Sequence, residues 1–232
     1  MPEERREPRW PASLALLVCA GLYVVLPGRI SVGPKWLLPV LVALPLIPLS
    51  LRKHRQPDES VHVRRASISL IALINIANVT SVILLVHRLL ATNVTQGRSL
   101  IYSAVLVWVT NVIVFGLWYW EIDRGGPQLR GTSLEKPIDF QFPQMMTPDQ
   151  APKNWRPAFI DYLYVAFTNG TSFAPADAMP FTPTAKFLMA SESIVSLVTI
   201  AIVAARAVNI LKMCIRDRRN VFRALGDKSI TN

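Results

Sequence analysis

Phe159-Ile-Asp-Tyr-Leu-Tyr-Val-Ala-Phe167, running into Thr168-Asn169-Gly170-Thr171-Ser172-Phe173, is the stretch that decides the fold. The first part is aromatic-rich and too short to cross a bilayer, because ~30 Å of hydrocarbon takes ~20 apolar residues. A polar turn with Asp177 and Pro180 follows, then a long apolar helix pattern from about Ala185 to Leu211. Short helix, irregular polar turn, long helix is the order of a re-entrant hairpin. Irregular backbone at membrane depth is tolerated only where it is buried in protein or lines a watery cavity. The reading therefore predicts a half-membrane helix over about residues 158–167, a turn over 168–177 and a last span.

The rest of the chain agrees with a membrane setting. Its 232 residues are 51% hydrophobic and 17% charged, the latter below the ~25% of soluble domains. Mean hydropathy is +0.33. The apolar residues fall into five blocks: Trp10–Leu26, Trp36–Leu51, Ile68–Leu90, Ser99–Trp120 and Ala185–Leu211. The fold class predicted is an all-α membrane protein with five transmembrane helices plus the short re-entrant helix.

The first two blocks have 17 and 16 residues, so at ~1.5 Å per residue they reach only ~24–26 Å. They cross if flanking Arg9, Arg29, Lys35 and Arg52 snorkel and the bilayer thins locally; a re-entrant pair is the alternative. Pro39, Pro45 and Pro48 predict a kinked second span, since each lacks a backbone donor and neighbouring helices must re-satisfy the freed carbonyls. Trp10, Trp36, Trp118, Tyr119 and Trp120 stand at block ends, where amphipathic rings favour the headgroup zone.

A net charge of +10 would suggest nucleic acid, but the cations sit at block edges. Arg5, Arg6 and Arg9 precede the first block, and Arg52, Lys53, Arg55, Arg64 and Arg65 lie between the second and third. That is the positive-inside pattern, which puts the N-terminus and a 52–67 loop on the cytoplasmic side of the membrane. No basic-aromatic groove or nucleic-acid motif accompanies the charge. Cys19 and Cys214 give neither a disulfide framework nor metal-ligand spacing.

Residues 121–157 form the one sizeable non-membrane segment, after a four-helix region at 1–120. Gly125-Gly126-Pro127, Pro137, Pro143, Pro148, Pro152 and Pro157 make it too proline-rich for a helical domain and too short for its own core. It is expected to lie over the bundle as a loop, with 138–143 as an extended piece docked there. Residues 158–211 hold the hairpin and last helix. In the 212–232 tail, Lys212-Met-Cys-Ile-Arg-Asp-Arg218 resembles the translation of a sequencing adaptor, and the expectation is that this tail is partly or wholly an assembly artefact.

Phe115-Gly-Leu-Trp-Tyr-Trp120, Asp139-Phe-Gln-Phe-Pro143, Asp161-Tyr-Leu-Tyr-Val-Ala-Phe-Thr168 and Ser172-Phe-Ala-Pro-Ala-Asp177 carry a resemblance that covers residues 10–211. The chain resembles a family of bacterial multi-pass membrane proteins of unknown function with four spans and a channel-like hairpin. The resemblance implies fold and membrane location and no activity. More remotely, Thr168, Gly170 and Asp177 resemble the filter of potassium channels, threonine-valine-glycine-tyrosine-glycine-aspartate. Thr171-Ser172-Phe173 lacks the second glycine, which such a filter uses for φ > 0; potassium selectivity of that type is not expected.

On the last helix Glu192, Thr199 and Arg206 recur every seven residues with Ser196 and Asn209 at helical spacing, making one polar stripe. Glu192 and Arg206 are ~21 Å apart along the axis, so each needs another partner. Ionisable groups inside spans are costly and draw functional suspicion. Lining of a conduit and plain helix–helix hydrogen bonding both fit the stripe. Asn75, Asn78 and Asn111 are read as interhelical hydrogen bonds, and Ala201 and Ala205 as a small pair admitting another helix.

No paired carboxylates, nucleophile elbow, zinc motif or phosphate-cradling loop appears, so no catalytic residue, metal or cofactor is expected. Two readings remain. One is an oligomeric cation-transport protein with Thr168, Asn169, Gly170, Thr171, Ser172 and Asp177 at the turn and Glu192, Ser196, Thr199 and Arg206 on the stripe. The other is a non-conducting membrane scaffold whose 121–157 loop is a contact surface. The expected partners are the lipid bilayer, further copies of the chain and monovalent cations.

Overall fold

A computed structural model describes residues 9–27, 36, 39–42, 59–91, 97–172 and 178–227. The helices are α1 (Trp10–Val25), α2 (Glu59–Ala91), α3 (Gly97–Ile122), the single turn α4 (Pro143–Met146), α5 (Phe159–Ser172) and α6 (Pro183–Asp227). A 3-10 turn follows α3, and β1 (Phe140–Gln141) pairs antiparallel with β2 (Met179–Pro180). Among the described residues the regular structure is helical apart from that strand pair.

Among the described residues, three helices are long and apolar enough to cross a membrane: Arg64–Leu89, Ser99–Gly125 and Pro183–Arg206. α1 is apolar but shorter, at 16 residues. Most of the expected second span, including Pro45 and Pro48, lies outside the described residues; residues 39–42 are helical. The outer surface is apolar as well as the core. Leu14, Leu17, Val25, Ile76, Ile83, Tyr102, Ile160, Phe187, Ile194 and Leu197 are exposed, an amount of apolar surface that water does not tolerate but lipid does.

α3 is the central post, packed by α1, α2, α5 and α6. Its sequence explains the role, since Val107, Val112, Val114, Phe115 and Leu117 are buried on nearly every side. α1 meets the bundle through Ala12, Ala15, Leu16, Cys19, Ala20 and Tyr23, a helical stripe rich in small residues that permits close approach. Several hydroxyls inside the spans are absorbed by their own helices. Ser81, Ser103, Thr110 and Thr199 each donate to the carbonyl four residues back, which leaves no bare donor in an apolar setting.

Three features differ from the sequence reading, two of them helix boundaries. α2 begins at Glu59, so residues 59–67 of the expected 52–67 loop are helix: hydropathy marks the bilayer edge, not the helix end. α5 continues through Ser172, so Thr168–Ser172 are not a turn, and residues 173–177 lie outside the described residues. Tyr119 and Trp120 are buried and not at a headgroup surface.

The last difference arises because residues 123–157 close over one end of the bundle. Gly126 has φ +97, and a side chain there would meet the Glu121 carbonyl at 2.9 Å, so only glycine reverses the chain this tightly. Asp123 is fully buried and anchors the cap: it accepts the N–H groups of Asp139 (2.8 Å) and Phe140 (3.2 Å) and the Tyr162 hydroxyl (2.5 Å). Phe140 packs on Tyr119, Phe159 on Trp120, and Phe142 on Tyr162 and Trp155. Arg130 lies over the Trp120 and Tyr162 rings and donates to the Trp120 carbonyl.

α5 starts under this cap beside Trp120, and by Met179 the chain is back at the same end, paired with β1. At 14 residues the helix is ~21 Å long. It is little more than half the length of α3, which has 26 residues.

A polar core around Glu192

Glu192 is fully buried near the middle of the α6 span. Two donors from two other helices converge on one of its oxygens. The Tyr119 hydroxyl on α3 lies 2.5 Å from Oε2, and Asn169 Nδ2 on α5 lies 2.7 Å from the same atom. Asn169 Nδ2 also donates to the Met189 carbonyl (3.0 Å), while its Oδ1 accepts the Ser193 hydroxyl (3.2 Å). The amide is thereby fixed in both directions, and with it the carboxyl plane.

The network continues along the bundle. Asn111 Nδ2 donates to Ser196 Oγ (3.1 Å) and to the Glu192 carbonyl (3.4 Å), and Asn111 Oδ1 accepts from Asn78 Nδ2 (3.3 Å). One row of polar side chains thus runs from Asn78 on α2, through Asn111 on α3, to Ser196 and Glu192 on α6 and Asn169 on α5. Such a row is costly in an apolar bundle unless each member is paired.

The other oxygen of Glu192 is different. Oε1 is buried and has no hydrogen-bond partner among the described residues. It faces Gly170, where an added Cβ would stand 3.7 Å from Oε1, 3.1 Å from Ser196 Oγ and 3.4 Å from Val112. Trp108 Nε1 holds the Gly170 carbonyl at 3.4 Å. Gly170 is therefore a point of close helix approach, not a φ > 0 position in a filter. No Lys, Arg or His forms an ion pair with Glu192 among the described residues.

The structure places the other expected site residues as follows. Ser196 and Thr199 are buried with Glu192, so the stripe faces α3 and α5 and not outward. Arg206 is also buried, at the far end of the span. Thr168 and Thr171 are helical, with hydroxyls turned back onto Tyr164, Val165, Phe167 and Thr168 carbonyls. Ser172 ends α5, and Asp177 lies outside the described residues. Ala201 and Ala205 are exposed on the outward face of α6, and Asn75 makes no hydrogen bond through its buried Oδ1.

Sequence reasoning placed Tyr119 in a headgroup belt and missed its bond to Glu192. It also passed over Glu121 and Asp123, both fully buried; they are the first carboxylates after Glu59, a gap that could have flagged them. Glu121 stands 4.0 Å from Arg9 and 3.9 Å from Arg64, tying the starts of α1 and α2 to the end of α3. No group of three or more His, Cys, Asp or Glu side chains comes together to hold a metal among the described residues. No family model, curated protein or solved structure matches the chain.

Proposed function

We propose that this chain is a cation-transport protein of the bacterial inner membrane and that Glu192 is its cation-binding group. One observation carries the reading. A carboxylate buried at mid-span has one oxygen oriented by Tyr119 and Asn169 and the other without a partner among the described residues. A buried carboxylate with no cationic side chain is unfavourable on its own, and a monovalent cation at Oε1 supplies the missing charge. Ionisable groups in this position mark ion pathways in membrane proteins. Because the α6 stripe faces the protomer interior, the pathway is drawn within one protomer, along the row from Asn78 to Glu192. Further copies of the chain would surround it without lining it.

The same reading takes the chain across the bilayer five times. Arg9 and Arg64 both reach Glu121, so α1 and α2 start at the capped end. Leu26 clusters with Leu85 and Leu100 at the opposite end. Leu26 and Glu59 therefore stand at opposite ends, and the second apolar block of the sequence, Trp36–Leu51, has the length proposed for the crossing between them. Charge bias then puts the N-terminus, the cap and the mouth of the hairpin in the cytoplasm.

The scaffold reading has its own observation. The cap packs Phe140 on Tyr119 and Arg130 on Trp120, which covers the bundle above Glu192 and suits a non-conducting protein. Sodium, potassium and proton flux into liposomes containing the purified protein separates the two. Transport predicts flux that Glu192→Gln abolishes. Absence of flux for all three cations, with Glu192→Gln altering stability alone, leaves the scaffold reading.

A further inference from the structure

We infer that the bundle holds a second monovalent-cation site, in the cavity between α1, α2 and α3, and that this site is the step between Glu192 and the end opposite the cap. The inference rests on the transport reading given above. The cavity has a volume of about 10 Å³, the room that the centre of a single water requires. A cation entering it sheds most of its hydration and needs oxygen from the protein in exchange.

Three side chains supply that oxygen. Asn78 and Ser81 on α2 and Thr110 on α3 line the cavity, and the first two are buried. The hydroxyls of Ser81 and Thr110 give their single hydrogens to the Ala77 and Leu106 carbonyls, so each has only lone pairs to offer the cavity. Asn78 bonds Asn111 through Nδ2, and its other polar atom is the carbonyl oxygen. Acceptors of this kind suit a cation or a water and repel an anion. They are neutral, which holds a passing cation weakly enough for it to leave.

The place of the cavity in the bundle gives the direction. Asn78 starts the polar row that leads through Asn111 to Glu192, so the two sites join there. From that depth the cavity extends away from the cap, to Leu26 and Val107. Both belong to the apolar cluster with Leu85 and Leu100 at the far end. Apolar constrictions gate by dewetting, and this cluster is the outer gate of the path.

Silver ion tests the site, because it is a monovalent cation and Cys19 is a buried free thiol on the cavity wall. The reaction exchanges the thiol proton for the metal, so that R–SH and Ag⁺ give R–S–Ag and H⁺. In the full chain carrying Cys214→Ser, Cys19 is the remaining cysteine. Silver is added to one side of sealed vesicles without chloride, and the thiol left is counted with a maleimide after unfolding. Cys19 should be consumed from the side away from the cap and not from the capped side. Ser81→Ala and Thr110→Val should each slow silver by about 3- to 10-fold, the effect of one lost neutral ligand, and leave the rate with neutral methyl methanethiosulfonate unchanged. Ser81→Ala enlarges the cavity, so slower silver entry there reports lost oxygen and not lost space. The inference is overturned if silver consumes Cys19 from neither side, if it does so from the capped side alone, or if both variants match the parent. Silver entry with the expected variant effects, but without sodium, potassium or proton flux, overturns the transport reading and keeps the site.

Discussion

Asn169 on α5 and Glu192 on α6 are joined by a 2.7 Å hydrogen bond, with both side chains buried. The bond ties the half-length helix to the last span at the depth where α5 ends. The geometry explains how a helix too short to cross is held in place: its polar tip is bonded to a full-length neighbour.

Removing a donor from Glu192 should cost stability modestly. Tyr119→Phe deletes one bond to Oε2. Asn169→Leu deletes one there and also those to the Met189 carbonyl and from Ser193, so its loss should be the larger, with the range that follows applying to each bond. Interhelical hydrogen bonds in membranes contribute about 0.6 kcal/mol on average and about 1.7 at most, so each variant should still fold. Denaturation in detergent micelles should show losses in that range, and the double variant should lose less than the sum, because the two donors share an acceptor.

Adding volume at the helix contacts should cost more. A Cβ on Gly116 would meet the Leu163 backbone at 3.1 Å, and one on Gly170 would meet Ser196 Oγ at 3.1 Å. Leu163 Cα is fixed backbone, whereas a serine hydroxyl can rotate. Gly116→Ala should therefore destabilise by about 1–3 kcal/mol, and more than Gly170→Ala. Gly170→Val should approach the Gly116 effect and also lower any flux that depends on Glu192, since it fills the space beside Oε1.

The cap depends on Asp123. Asp123→Ala leaves two backbone N–H groups and the Tyr162 hydroxyl without their acceptor, a loss of at least about 3 kcal/mol. Protease should then cut within residues 131–137, exposed at nearly every position, faster than in the parent protein. Tyr162→Phe removes one of the three bonds and should raise cleavage far less. Equal cleavage of Asp123→Ala and parent would show that aromatic packing alone holds the cap.

Labelling should reveal which parts share a face. Single cysteines at Ser133 and Met179, both exposed, should react with an impermeant thiol reagent from one side of sealed vesicles. A cysteine at His87, exposed near the end of α2, should react only from the other. Labelling of Ser133 and Met179 from opposite sides would mean that α5 crosses, and the hairpin would be lost.

The sequence by itself determined what depends on local composition. Long apolar blocks gave α2, α3 and the start of α6; an aromatic stretch too short to span gave a half-length α5; Gly125-Gly126 and the run of prolines gave a loop closing one end of the bundle. Spacing alone put Glu192, Ser196 and Thr199 on one face of a helix. Tertiary structure decided the rest, because the partners are distant in sequence. Glu192 lies 73 residues from Tyr119 and 23 from Asn169, and no pattern in the chain encodes that pairing. The stripe could have faced a symmetry axis or the protomer's own core; helix rotation, set by packing against α3 and α5, turned it inward. Thr168–Ser172 read as a turn because their side chains are polar. They are helix because hydroxyls returned to backbone carbonyls cost little, and because Gly170 and Asn169 are held against α3 and α6.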